Sequence, residues 1–435
     1  SVFTVGTDHS VNADGENYVA YLFGHETGDD SMIQCGSYTG NGDAAGPKID
    51  LGWEPQWLMT KASSRTSDWS ITDIQRGVFT GGVDQRLHPQ EAAVEPPAAT
   101  HSIDQLAFNG DGFNITNTGT IVNGNTELYT YVAIRFPNMA TITDATEVFA
   151  VDIRTSSEGE GKYVSGFPVD FSLANNYDAS GNTFAGTRLT NTHLQTNATT
   201  TQSSSATDYD WEYTDGVGIG EDGAFFGGST NNINWMWKRA KGYFDTVAYT
   251  GTGSALNVSH SLAVAPEMMW IKNRGVADPW AVYYGDNTDY LILDTTAATA
   301  DDAAWWNDTS PTDSVFTVNT DHSVNSSGEF YVAYLFATLA GVSKVGTVTH
   351  SGSSTDVDCG FTAGSRFVIL KRTDATGPWH VWDSLRGIIA GNDPYLVLDD
   401  HAAPVTDTDL IDPLASGFQI SGDFTDGDYI FYAIA

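Results

Sequence analysis

The sequence predicts an all-β protein: a tandem array of β-sandwich modules of jelly-roll or lectin-like type, with essentially no helix. Three observations predict it. Long stretches recur along the chain. Apolar runs have strand length and are rich in β-branched and aromatic residues, and the spaces between them are crowded with Gly, Ser, Thr, Asn and Asp. Repeated units that bury their apolar faces on packing mark repeat architectures, and short strands with regular turn signals point to sandwiches. No segment carries a helical period of apolar residues.

The strongest repetition joins SVFTVGTDHSVNADGENYVAYLF, residues 1–23, to SVFTVNTDHSVNSSGEFYVAYLF, residues 314–336. Looser copies span residues 112–135 and 417–434, and a degraded one spans 216–238. The element reads as a β-hairpin. Tyr18 to Phe23 and its copies form an apolar strand, and Phe316 and Val318 alternate with polar neighbours upstream. Asp14-Gly15, Ser327-Gly328, Asn123-Gly124 and Asp426-Gly427 supply the positive-φ connection that a tight turn needs.

A second element precedes it. Lys61 is followed by Trp69, Lys272 by Trp280 and Lys371 by Trp379, always eight positions apart, and Arg76-Gly77 and Arg386-Gly387 follow two of the copies. This reads as two strands joined by a short polar loop. Trp69, Trp280 and Trp379 are expected as core anchors, and the lysines and arginines as partners of carboxylates at sheet edges. A strand ending in Gly and Thr comes before each copy (SYTGNG from Ser37, AYTGTG from Ala248, TVTHSGSS from Thr347). A leucine strand comes after two of them, at residues 290–294 and 395–399. In order, these elements give modules at 25–137, 138–241, 242–338 and 339–435, the second being the most divergent. Residues 1–24 are expected to be the closing hairpin of a truncated preceding module. Whether each unit closes alone, or pairs share one sandwich, is left open by the sequence.

With 435 residues, 40% of them hydrophobic, the chain can bury several cores. Lys+Arg is 19 against Asp+Glu 55, a formal charge of −36. A duplex binder needs a basic footprint, and anionic lipid would repel this field. No nucleic acid and no membrane insertion are therefore expected; no apolar run reaches the ~18–20 residues of a membrane helix. Cys35 and Cys359 stand alone, so no disulfide framework is present.

The SYTGNG stretch, the Lys–Trp–Asp–Arg-Gly block, WMWKRAKGYFDTVAYTGTG from Trp235, HSLAVAPEMMWIKNR from His260, WWNDTSPTDSVFTV from Trp305 and YVAYLFATLAGVSKVG from Tyr331 resemble one family. It is the repetitive tail-fibre and virion structural proteins of marine bacteriophages, cyanophage- and pelagiphage-like, and the similarity covers nearly the whole chain. The resemblance implies a non-enzymatic virion protein on the particle exterior: a fibre, capsid appendage or decoration that contributes to host attachment. Its implied partners are other virion proteins, copies of itself and host cell-surface glycan. It brings no catalytic or binding residues to carry over. The alternatives are a glycan-binding lectin-like receptor-binding protein, a bacterial surface adhesin, or a tail-associated polysaccharide depolymerase.

A depolymerase would need two carboxylates a few Å apart. Asp210/Glu212, Glu158/Glu160 and Asp301/Asp302 are available, but 55 acidic residues produce such pairs by composition alone. The histidines are scattered without zinc spacing, and His9 and His322, at one repeat position, are expected to make turn contacts. No cofactor is required. Calcium is the candidate ion, with Asp423, Asp426 and Asp428 as loop ligands and Asp407, Asp409 and Asp412 as a second cluster. For a sugar, the candidates are Trp305, Trp306, Asn307 and Asp308: adjacent strand residues face opposite sides, which would expose one tryptophan beside two polar side chains.

Overall fold

The structure is a computed structural model that describes residues 2–26, 31–74, 86–90, 106–135, 142–155, 161–190, 192–203, 209–211, 213–219 and 231–435. Strand dominates, and the helices are single turns such as Ala303–Trp306 and His322–Asn325. The strands build four successive two-sheet units, and each sheet draws its strands from one unit only. In the third unit the large sheet runs in the order Phe244–Thr250, Phe330–Phe336, Met268–Asn273, Ala281–Tyr283, Asp289–Ile292, Ala300–Asp301, and a small sheet pairs Leu256–Ser259 with Val315–Val318. The fourth unit repeats this with Ser343–His350, Gly427–Ile434, Phe367–Arg372, Trp379–Asp383 and Leu396–Val397. All these pairings are antiparallel.

The Lys–Trp element is the hairpin that its sequence suggests. Lys61 lies opposite Trp69, and Lys371 opposite Trp379. The closing element is not a hairpin. Val315–Val318 belongs to the small sheet, whereas Phe330–Phe336 is an inner strand of the large sheet, flanked by Phe244–Thr250 and Met268–Asn273. The link between them is the helical turn His322–Asn325, capped by Asp321, followed by Gly328 at φ +82°. Tyr331 holds that turn from the strand: its hydroxyl donates to the carbonyl of His322 at 2.7 Å and accepts from the Ser326 N–H. Tyr129 does the same for Thr120 and Gly124 in the first unit.

This turn also explains the Tyr-Thr-Gly motif. Gly251 passes so close to the Ser326 carbonyl that a Cβ would lie 2.1 Å from the oxygen, and Gly40 stands likewise 2.4 Å from that of Gly124. Only glycine lets the two backbones approach. Asn325 locks the junction, accepting from the Thr252 N–H and donating to the carbonyls of Ser254 and Asn319. Segment 2–26 shares the sequence of residues 315–336 but contains only the turn His9–Asn12 and no strand. A strand needs ladder partners; among the described residues segment 2–26 joins no ladder, and Val19, Tyr21 and Leu22 stand exposed.

Each large sheet has two faces. One packs on the unit's own small sheet: Tyr249, Phe316 and Tyr331 in the third unit, Val357, Phe418 and Phe431 in the fourth. The opposite faces of the second, third and fourth units meet in one shared core. Ring contacts join every pair of units there: Phe171 with Tyr334 at 4.4 Å, Phe336 with Tyr432 at 5.0 Å and Phe149 with Phe367 at 5.2 Å. A buried large apolar side chain is worth roughly 1.5–3 kcal/mol, so this core contributes on the scale of a domain core. It couples the three units into one body.

Candidate functional site

The three units close into a ring through equivalent bonds. Trp280 Nε1 of the third unit donates to the carbonyl of Gln195 in the second at 2.8 Å, and Trp379 Nε1 of the fourth to that of Ile292 in the third at 3.0 Å. The Gly377 N–H reaches the carbonyl of Thr296, and the Gly181 N–H reaches that of His401, which joins the second unit back to the fourth. Thr196 Oγ1 reinforces that last contact on the Leu398 carbonyl. Where the other units have Lys and Trp, the divergent second unit places Asn175 and Thr183, hydrogen-bonded to each other at 2.6 Å.

The repeat lysines do not pair with carboxylates, as the sequence suggested. Lys272 Nζ donates to the carbonyls of Thr199 and Asn273, and Lys371 Nζ to those of Thr295 and Gly377. Burial pushes both ammonium groups down to about 8. The reason is location: each lysine lies under the neighbouring unit's loop, where main-chain oxygens are the available acceptors. Arg386 does pair with Asp383, at 2.6 Å, and lies over the Trp235 ring. Arg76 lies outside the described residues. Trp280 and Trp379 are buried anchors, but Trp69 is 38% exposed.

The first unit has a core of its own around Trp53, Leu58, Phe113 and Tyr129. A buried ionic cluster ties it to the others. Arg239 bonds Glu54 through Nη2 and Asp245 through Nε, both at 2.6 Å, and its N–H donates to Asp170. Burial pushes the carboxyls of Glu54 and Asp170 up, and Arg239 opposes that rise.

The sugar candidates change character. Trp305 and Trp306 lie on the helical turn Ala303–Trp306, not on a strand, and both are buried, at 4% and 1% exposure. Trp305 stacks on Tyr290 at 3.8 Å, and Trp306 Nε1 bonds the carbonyl of Asp289. Neither offers a face to a ligand. Asn307 and Asp308 are exposed, in left-handed conformations at φ 56° and 45° that end the turn. Of the carboxylate pairs, Asp302 caps this same turn through Ala304 N–H. Glu158, Glu160 and Glu212 lie outside the described residues.

Of the calcium candidates, Asp423 and Asp426 lie in the loop before the strand Gly427–Ile434 and Asp428 lies on that strand. Asp426 accepts from the Gly352 N–H at 2.5 Å, and Asp428 accepts from Thr349 Oγ1, its ladder partner on the strand Ser343–His350, at 2.6 Å. The N–H of Asp423 donates to Ser421 Oγ. Among the described residues no three His, Cys, Asp or Glu side chains form a group that could hold a metal. His322 reaches out of its turn to Asp278, 2.7 Å away.

An open cleft, of about 400 Å³, lies on the fourth unit, lined by Pro378, Tyr395, Val397, Asp399 and Asp400 with Thr296 of the third unit. Tyr395 is held by His380 and Trp382, with ring centroids 5.0 and 5.6 Å away. Asp399 accepts the Trp379 N–H at 2.8 Å, just as Asp294 accepts that of Trp280. Asp400 is exposed at the rim. An aromatic ring beside carboxylates can stack on a sugar and accept its hydroxyls. The recurring Tyr-Leu-x-Leu-Asp strand is its signal in the sequence.

The family model described as Domain of unknown function (DUF7483) matches residues 1–136 and 166–435. The chain belongs to this family. The DUF7483 match takes in the first, third and fourth units and most of the divergent second. No curated protein and no solved structure matches the chain. Among the described residues of this DUF7483 chain no helix is long and apolar enough to cross a membrane.

Proposed function

We propose that this DUF7483 chain is a non-enzymatic structural protein of a bacteriophage virion, an exterior fibre, appendage or decoration that contributes to host attachment. The observation that carries the structural part is the shared core of the second, third and fourth units. Three sandwiches fused through one core make a rigid block, and the loops at its surface are free to differ between units. Its virion setting rests on the sequence resemblance. Repetition of such blocks turns weak contacts into avidity, and seawater salt shortens the reach of the −36 charge to a few Å.

Gold-labelled antibody against the chain tests this on intact particles of a phage that encodes it. Labelling of the particle surface is the expected result, and a chain found only in infected-cell lysate contradicts it. A second reading, glycan recognition, is favoured by the cleft beside Tyr395. Saturable binding of labelled chain to host cells, competed by soluble host polysaccharide and lost in Tyr395→Ala, is its signature.

A further inference from the structure

We propose that the outer sheet face of the first unit joins three copies of this chain, each copy giving the same face to a threefold core. In the third unit the corresponding face carries Met268, Trp270 and Lys272 opposite Phe336, Tyr334 and Val332, and all six are buried. The first unit carries Trp57, Met59 and Lys61 opposite Ile134, Val132 and Thr130 in the same register; Thr130 is exposed and the other five are only half-buried. Trp69, level with Lys61, is 38% exposed, whereas its counterparts Trp280 and Trp379 are 0% exposed.

What covers the face follows from what covers its sisters. In this chain a large sheet of this type is covered by two more sheets of the same type, and three such faces close upon one another. Among the described residues the first unit meets no second and third face of this type, but two further copies supply them. The contacts are specified residue by residue. Ile71 bridges Leu87 as Val282 pairs with Leu291. His88 therefore occupies the position of Ile292, whose carbonyl receives the indole of Trp379. The Trp69 indole of each copy is placed to donate to the His88 carbonyl of the next, with Lys61 under the neighbouring loop. Three copies close this cycle, and two leave part of each face bare. The inference is independent of the virion reading.

The experiment is the solution mass of the full chain by analytical ultracentrifugation at micromolar concentration. The expected result is three times the 46.7 kDa chain. The double variant Met59→Asp with Val132→Asp returns to the mass of one chain, whereas Leu22→Asp, in the exposed segment 2–26, stays at three. A mass of one or two chains, or a three-chain mass that survives the double variant or is lost in Leu22→Asp, overturns the proposal. A readout without substitution accompanies it. Oxidative footprinting should modify Met59 and Trp69 several-fold less as concentration rises through assembly, with Tyr21 unchanged. Undiminished reactivity of Trp69 in the assembled state overturns the proposal as well.

Discussion

The indole of Trp379 donates its hydrogen bond to the main-chain carbonyl of Ile292, across the boundary between the fourth and third units. One side chain thus fills its own sheet face, bonds the strand Asp289–Ile292 of a neighbour and closes part of the ring.

Replacing it with alanine removes the side chain from a fully buried position. Truncation of a buried Trp costs ~3–5 kcal/mol, and Trp379→Ala should lose that much in urea unfolding. Trp379→Phe keeps most of the volume but strands the Ile292 carbonyl, at about 1–3 kcal/mol.

Arg239 answers to three carboxylates at once. Arg239→Met leaves Glu54 and Asp245 buried without it, and breaking such a network costs ~3–5 kcal/mol. The expected sign is local as well as global: amide exchange in the strand Pro55–Ala62 should accelerate more than exchange in Phe367–Arg372.

His380 sets an acid limit. Burial, with Lys371 nearby, holds its imidazole at about 4, below the ordinary value of 6.5. The unfolded chain binds this proton more readily than the folded one, so the contribution is full above pH 6.5 and is lost as pH falls toward 4. The integrated effect is on the order of 3 kcal/mol. Urea midpoints measured from pH 7.5 to 4.5 should fall, and His380→Phe should flatten the decline.

Asp393 has the opposite sign. Burial, aided by Asp409 and Asp412, raises its carboxyl to about 6. The folded state then holds the proton more tightly, so ionisation above pH 6 costs about 2 kcal/mol, and the cost vanishes below pH 4. Asp393→Asn keeps the acceptor for the Ile389 N–H. It should stabilise the chain at pH 8 and have little effect at pH 4.

How far the sequence reveals this architecture varies by element. The Lys–Trp hairpins were legible because their strands alternate and their connection is short. The closing element is ambiguous in sequence, since two apolar strands around a glycine turn look alike whether they pair with each other or enter different sheets. Trp305 and Trp306 were misplaced because one helical turn is too short to display a period. The shared core has a signal in the sequence. Tyr331 to Phe336 and Met268 to Ile271 are unbroken apolar runs, the mark of strands buried on both faces. Thr130 interrupts the matching strand of the first unit, whose outer face is only half-buried. Which units meet was beyond reach, because that depends on contacts between residues far apart in the chain.

Hydrogen exchange on Trp379→Ala tests the central claim, that the second, third and fourth units are one body. The shared core predicts that protection falls together in Phe171–Asn176, Met268–Asn273 and Phe367–Arg372, although the change lies in the fourth unit alone. Loss confined to the fourth unit, with the other two as protected as before, would contradict it.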